Sequence, residues 1–111
     1  MHINFDQEPF EALDPENPSS AYDAILREFY KEVAPGHILY GQTVRLLARR
    51  TDTDDIVLEV ESGQIAYVYL TWCDGADTPP WPSSALYFDK ASFWRQIMRD
   101  EIEDFTNRMA E

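Results

Sequence analysis

The first periodic stretch of the chain is an apolar stripe with helical spacing. Apolar side chains recur at intervals of three and four residues after Ser20, while charged side chains occupy the other positions. The stripe comprises Tyr22, Ile25, Leu26, Phe29 and Val33. A serine oxygen at Ser19 or Ser20 can accept an unpaired N–H of the first turn, and Pro35 and Gly36 follow the last apolar position. We therefore predict an amphipathic helix that begins after Ser20 and ends before Pro35.

The middle of the chain alternates between apolar and polar positions, which is typical of strands. Residues 42–50 and 56–61 alternate in this way, and the polar stretch 51–55 between them is typical of a turn. Residues 64–72 are apolar on both parities, which is typical of a central strand. The pattern therefore predicts three consecutive antiparallel strands.

Ser62-Gly63 is a two-residue hairpin signal between the last two of these strands, because glycine tolerates positive φ. A turn confined to these two residues places Val60 opposite Ile65 and Leu58 opposite Tyr67. The same register gathers the apolar side chains of both strands on one face of the sheet. We therefore predict this register for the hairpin.

The chain after the strands is rich in proline and then returns to helical spacing. Residues 73–84 contain three prolines and predict a loop, since proline is excluded from central strands. Ala85–Phe88 can form a short fourth strand. Asp89 can cap a second helix over Lys90–Met109, whose stripe comprises Phe93, Trp94, Ile97, Met98, Ile102, Phe105 and Met109.

The first nineteen residues predict an extended acidic arm, because Pro9, Pro15 and Pro18 disfavour helix. Apolar side chains in the arm can attach it to the core, with a short edge strand at His2–Phe5. The overall prediction is an α+β fold: an arm over residues 1–19, then a single domain over 20–111. In that domain an antiparallel meander of three to four strands carries an N-terminal and a C-terminal amphipathic helix. Each helix has a single stripe, so we expect both on one face of the sheet.

Composition and charge exclude several classes of function. The 111 residues are 44% hydrophobic, which suffices for one core. Twenty-one acidic against nine basic residues give a net charge of −12. That balance argues against direct binding of nucleic acid and against docking on anionic membranes. A single cysteine, Cys73, excludes an internal disulfide. With neither a membrane-span pattern nor a signal-peptide pattern, we expect a cytoplasmic protein. The oligomeric state stays open.

Three features have catalytic or metal-binding interpretations that we rank below structural ones. His37 can act as a general base, but a position near the C-terminus of a helix favours a structural histidine. Asp52, Asp54 and Asp55 resemble the start of a calcium loop, yet the glycine and distal glutamate of such a loop are absent. Cys73 has no base nearby in sequence. We therefore predict no catalytic residue, no metal site and no cofactor.

Aromatic and basic side chains provide candidate binding residues. Trp81 lies within Pro79-Pro80-Trp81-Pro82, where a stiff loop can present it to a partner or fold it over the core as a lid; we favour the lid. Arg49 and Arg50 belong to a basic cluster that can contact an anion or pair with nearby carboxylates, and we favour the pairing. The full set of candidate binding residues is Trp81, Trp72, Tyr87, His37, Arg49 and Arg50.

The order of motifs in the chain resembles a family of small bacterial proteins to which no established activity is attached. The motifs are His37-x-Leu39-Tyr40-Gly41, Ala48-Arg49-Arg50-x-Asp52-x-Asp54-Asp55, Leu70-Thr71-Trp72 and Pro79-Pro80-Trp81-Pro82. The resemblance covers residues 37–105 and implies a stand-alone bacterial cytoplasmic domain. It implies no catalytic residues.

Three functions remain open at this point. The leading one is a non-enzymatic protein-binding module that captures a basic partner, as antitoxins and immunity proteins do, because net charge steers oppositely charged partners together. The second is a nucleic-acid mimic or regulator, whose carboxylates replace phosphates. The third is a small ligand-binding or enzymatic domain that uses His37, the turn Asp52–Asp55 and Trp81.

Overall fold

The computed structural model describes residues 3–72 and 82–110. In chain order the elements are β1 (Phe10–Ala12), α1 (Ser20–Glu32), β2 (Val44–Arg50), β3 (Asp55–Val60), β4 (Ile65–Tyr69) and β5 (Ser84–Tyr87). The chain then forms α2 (Lys90–Phe93), a π-helical segment (Trp94–Met98) and α3 (Arg99–Met109), which together are the C-terminal helix. No helix within the described ranges is long and apolar enough to cross a membrane.

The strands form one open antiparallel sheet in the order β1-β2-β3-β4-β5. The α+β class and the meander are confirmed, but the expected three to four strands are too few. The additional strand is β1, which the arm contributes at Phe10–Ala12. Of the expected edge strand His2–Phe5, residues 3–5 lie in no strand and His2 lies outside the described residues. Phe10 is 2% exposed and lies opposite Arg50, so burial of this ring accompanies the pairing of the arm with β2.

The hairpin between β3 and β4 differs from the predicted register by one residue. Glu59 lies opposite Ile65 and Leu58 opposite Ala66. The Gly63 N–H donates to the Val60 carbonyl, and the Val60 N–H donates to the Gln64 carbonyl. The connection therefore has three residues, and Gly63 with φ of 94° takes the left-handed position that such loops require. The composition of the turn indicated a hairpin but did not distinguish a two-residue from a three-residue loop.

The shifted register distributes the core over both faces of the sheet. On one face, Ile56, Leu58, Val60, Ala66, Val68 and Leu70 pack with the stripe of α1. On the other face, Val57 and Ile65 pack with Phe93 and Met98 of the C-terminal helix. The expectation that both helices cover one face is therefore wrong. A one-residue slip exchanges the faces of a strand, and β4 is apolar on both parities while β3 adds Val57 to the second face, so each face needs its own helix.

An irregularity in β2 directs two of its residues toward the C-terminal helix. The pairing with β3 shifts between Leu46 and Ala48, as a β-bulge does. Leu46 belongs to the core under α1, whereas Ala48 belongs to the core under the C-terminal helix. Arg50, two residues later, shares the face of Ala48.

The C-terminal helix begins where the sequence predicts. The Asp89 carboxylate accepts a hydrogen bond from the Ser92 N–H at 2.8 Å, which caps the first turn. The π-helical segment then places Met98 in the core at 0% exposure. In α3, by contrast, no residue is fully buried, and Phe105 is only partly buried.

Candidate functional site

A groove on the α1 face is bordered by three of the candidate binding residues, Trp72, Arg49 and Arg50. It has a volume of about 300 Å³ and lies between α1, the turn after β2 and the end of β4. Trp72 borders it and is 50% exposed, while Ile25 and Leu70 contribute apolar surface. Arg49, Thr53 and Asp54 supply polar groups. An exposed indole beside a carboxylate and an apolar surface is an arrangement suited to a cationic side chain.

The position of Trp72 depends on Glu32, the last residue of α1. The two carboxylate oxygens of Glu32 accept from the Thr71 N–H at 2.8 Å, the Thr71 hydroxyl at 3.0 Å and the Trp72 N–H at 2.8 Å. Trp72 has φ of 54°, the only positive φ among the described residues other than glycine. Such a backbone costs free energy for a bulky residue, and the hydrogen bonds of Glu32 offset that cost. The indole is therefore held at the rim of the groove.

Glu28 and Glu32 form a buried acidic pair that sequence reasoning missed. Their exposed fractions are 6% and 0%. Burial raises the pKa of Glu32, and a hydrogen bond with Glu28 raises it further, against the lowering effect of the N–H donors of Thr71 and Trp72. Lys31 pairs with Glu28 at 2.9 Å. The spacing contained the signal, since Glu28 and Glu32 each lie three residues after an apolar stripe position, Ile25 and Phe29.

His37 has a structural role that occupies both ring nitrogens. It is 6% exposed. The Leu39 N–H donates to Nδ1 at 3.0 Å, so Nε2 carries the proton of the neutral ring and donates to the Pro82 carbonyl at 2.8 Å. The Ser84 hydroxyl lies 3.3 Å from Nε2 and donates to the same carbonyl. Nε2 therefore has no free lone pair to accept a proton from Ser84, and His37 instead attaches the loop after α1 to the start of β5.

The two candidate arginines point to opposite faces. Arg49 borders the groove and pairs with Glu11 of β1 at 2.9 Å. The buried guanidinium of Arg50 binds both oxygens of Asp52 at 2.9 and 2.7 Å and Glu101 of α3 at 2.8 Å. It also donates to the Tyr67 hydroxyl at 3.1 Å and lies 5.4 Å from the centre of the Phe10 ring. This pairing is the one that we favoured from the sequence, and it makes Arg50 a structural residue.

The remaining candidates are dispersed. Tyr87 lies on the face of the C-terminal helix, with its ring centre 5.5 Å from that of Phe93, and burial raises its pKa. Trp81 lies outside the described residues, as does Cys73, so the choice between lid and anchor stays a prediction. The structure thus brings Trp72, Arg49 and Arg50 together around the groove, with the Arg50 guanidinium bound to Asp52 and Glu101, and places Tyr87 on the other face of the sheet.

The acidic turn after β2 forms hydrogen bonds within the fold. Asp52 binds Arg50, and Asp55 accepts from the Tyr67 hydroxyl at 2.7 Å. Asp54 borders the groove. Within residues 3–72 and 82–110, no group of three or more His, Cys, Asp or Glu side chains is placed to hold a metal ion.

Internal ion pairs occupy most of the basic side chains of the protein. The participants are Lys31, Arg45, Arg49, Arg50, Lys90, Arg99 and Arg108. With a net charge of −12, the carboxylates outnumber these cations. Asp54, Glu61 and Glu103 are among the exposed carboxylates that lie in none of the ion pairs of the described chain. The surface therefore presents a negative field with few compensating cations.

Comparisons of the chain with protein-family models, with curated proteins and with solved structures found no match.

Proposed function

We propose that this protein is a non-enzymatic binding module that captures a basic protein partner. The observation that carries the proposal is the use of the basic side chains in internal ion pairs. An acidic excess that is not matched by nearby cations produces a long-range field, which accelerates encounter with a cationic partner. The same field repels nucleic acid.

The groove beside Trp72 is the contact point in this proposal. A lysine or arginine of the partner lies over the half-exposed indole and pairs with the carboxylate of Asp54. A cation on the face of an indole gains about 0.5–2 kcal/mol, depending on its desolvation. Ile25 and Leu70 accommodate the methylene stem of the cationic side chain.

His37 supports a non-enzymatic role rather than an enzymatic one. Both of its ring nitrogens are bonded within the fold, and the ring is buried. A general base needs a free lone pair within reach of a substrate proton. The third alternative was a small ligand-binding or enzymatic domain that uses His37, the turn Asp52–Asp55 and Trp81. In its enzymatic form, His37 lacks the free lone pair of a general base in this arrangement.

The test is affinity capture from the source cells, identification of the bound protein by mass, and kinetic measurement with the purified partner. We expect a basic partner whose association rate falls as the ionic strength rises, because the screening length shrinks from about 30 Å at 0.01 M to about 8 Å at 0.15 M salt. An acidic partner, or an association rate that is independent of salt, would refute the proposal.

Two variants test the groove. Trp72→Ala should weaken binding at least about tenfold, as expected for an aromatic anchor. Asp54→Asn should weaken it by up to about fivefold, the range for one exposed ion pair. The matched control is Glu103→Gln, which removes the same charge from an exposed position on α3. If all three variants bind equally well, the groove is not the contact point.

A further inference from the structure

The two edge strands of the sheet differ in the state of their outer backbone groups. In β1, the Leu13 N–H donates to the Leu47 carbonyl and the Thr51 N–H donates to the Pro9 carbonyl. Because antiparallel pairs alternate, the backbone N–H and carbonyl groups of Phe10 and Ala12 therefore point away from β2. The Phe10 N–H donates to the Gln7 carbonyl, and the Ala12 N–H donates to the Asp6 carboxylate at 3.2 Å. The arm therefore caps the outer donors of β1.

Among the described residues, no group caps the outer backbone donors of β5 in this way. The Tyr69 N–H donates to the Ser83 carbonyl. The backbone N–H and carbonyl groups of residues 83, 85 and 87 therefore point toward β4, and those of residues 84, 86 and 88 point away from the sheet. Within the described part of the chain, no protein group binds the backbone N–H or carbonyl of Leu86. An edge of this kind is a template for another strand.

The side chains of β5 also lack the devices that protect an edge. Residues 84–88 contain no charge and no proline, whereas β1 carries Glu11 and follows Pro9. Leu86 is 40% exposed and Phe88 is 80% exposed. These two side chains occupy alternate positions, so they offer apolar contacts on one face of an added strand.

We propose that the outer edge of β5 binds an extended segment of the basic partner, which adds to the sheet as a sixth strand. This inference rests on the proposed function and specifies how the partner docks. The occupant is a cationic chain and not a second copy of this protein, because two molecules of charge −12 repel each other. Backbone hydrogen bonds supply affinity in such strand addition, and alternate side chains supply specificity.

The proposal defines the sequence of the docking segment. The segment carries apolar side chains at every second position, where they meet Leu86 and Phe88. It carries lysine or arginine at the intervening positions, where they remain in water and respond to the acidic field. The backbone N–H and carbonyl groups of every second residue in the segment point toward β5, where they form hydrogen bonds with the free groups of Leu86.

The probe is a fluorescent, end-blocked peptide of four Lys-Val repeats, measured by anisotropy at low salt. The control peptide has N-methyl groups on alternate residues, in both possible registers, which removes backbone donors while charge and side chains stay. We expect the unmodified peptide to bind at least about tenfold more tightly than either methylated peptide, since several backbone hydrogen bonds are lost together. Equal binding would overturn the proposal and would indicate electrostatic attraction alone.

Leu86→Pro provides the matching change in the protein. Proline at an outward position of an edge strand removes only the outer donor, so the sheet bonds to β4 remain. We expect about tenfold weaker peptide binding. If this variant does not fold, Leu86→Lys introduces a charge at the edge instead. The control for that variant is Met109→Lys, which adds the same charge at a position on α3 that is 65% exposed. Unchanged binding by the folded edge variant would overturn the proposal.

Amide hydrogen exchange of the wild-type protein distinguishes the mode of docking from the function itself. The Leu86 N–H should exchange rapidly in the free protein and become protected by the Lys-Val peptide, whereas the Ala85 N–H should be protected in both states. If the natural partner binds with strong salt dependence but leaves the Leu86 N–H unprotected, the proposed function stands and the docking strand is wrong. Protection of Leu86 that rises with protein concentration alone would assign the edge to a second copy and would also overturn the proposal.

Discussion

Replacement of Arg50 by methionine tests how the C-terminal helix is held on the sheet. The Arg50 side chain is 5% exposed and makes two hydrogen bonds to Asp52, one to Glu101 and one to Tyr67. Glu101 belongs to α3, so the guanidinium links this helix to β2. Methionine keeps much of the volume but removes every one of these hydrogen bonds.

The expected loss follows from the exposure of the partners. Removal of one partner from a buried ion pair costs about 3–5 kcal/mol, mainly because the other charge stays buried. Here the side chains of Asp52 and Glu101 are 21% and 39% exposed, so water reaches both carboxylates after the substitution. We therefore expect Arg50→Met to lower the free energy of unfolding by about 3 kcal/mol, at the lower limit of that range.

Urea denaturation at neutral pH measures this loss. The matched control is Arg49→Met, one residue earlier, where the ion pair with Glu11 joins side chains that are 38% and 44% exposed. That substitution should cost less than about 1 kcal/mol. A loss for Arg50→Met that is no larger than the loss for Arg49→Met would refute the reasoning, because the guanidinium cluster would then contribute no more than a surface pair.

The pH dependence of stability supplies a second measurement on the same variant. Hydrogen bonds from Arg50 hold the pKa of Asp52 below its usual value of 3.8, against the opposing effect of partial burial. A carboxyl with a lowered folded pKa contributes stability above its unfolded pKa and loses that contribution as the pH falls. In the wild type this part of the stability should be present above pH 3.8 and should be lost as the pH falls below that value, through the lowered pKa of Asp52 in the folded protein. Arg50→Met should lack the decline.

Three further predictions concern other parts of the fold. Gly63→Val should lower stability by about 1–2 kcal/mol through its positive φ alone, since no heavy atom lies within 4 Å of an added Cβ; an unchanged urea midpoint would contradict the three-residue loop. Burial raises the pKa of Glu32 from 4.5, so its contribution to stability should decrease as the pH rises above that value. Glu32→Gln should remove this decrease, and a variant with the same pH profile as the wild type would contradict it. Phe93→Ala, at 0% exposure, should cost about 3–5 kcal/mol. Phe105→Ala should cost less than half as much, because its ring is partly exposed; similar midpoints for the two variants would show that this difference in burial does not matter.

The sequence by itself determined both helices and the central strands, but not β1. The stripe from Tyr22 to Val33, the Asp89 cap and the alternation in residues 56–61 are local patterns, and each produced the predicted type of element. The internal pairing of the arginines was also predictable, because an acidic chain surrounds them with carboxylates. These features depend on neighbours within a few residues or on overall composition.

Only the tertiary structure decided how these elements combine. One extra residue in the turn at Gly63 and a register shift in β2 change which residues of the strands share a face. The sequence does not reveal either change, because β4 is apolar on both parities and fits both registers. The burial of Glu32 beside Thr71 and of Arg50 beside Glu101 joins residues 39 and 51 positions apart in the chain. The strand order leaves β5 at the outer edge. The physical reason is that local pattern sets a preference for an element, whereas register, burial and edge position are set by the packing of both sheet faces at once.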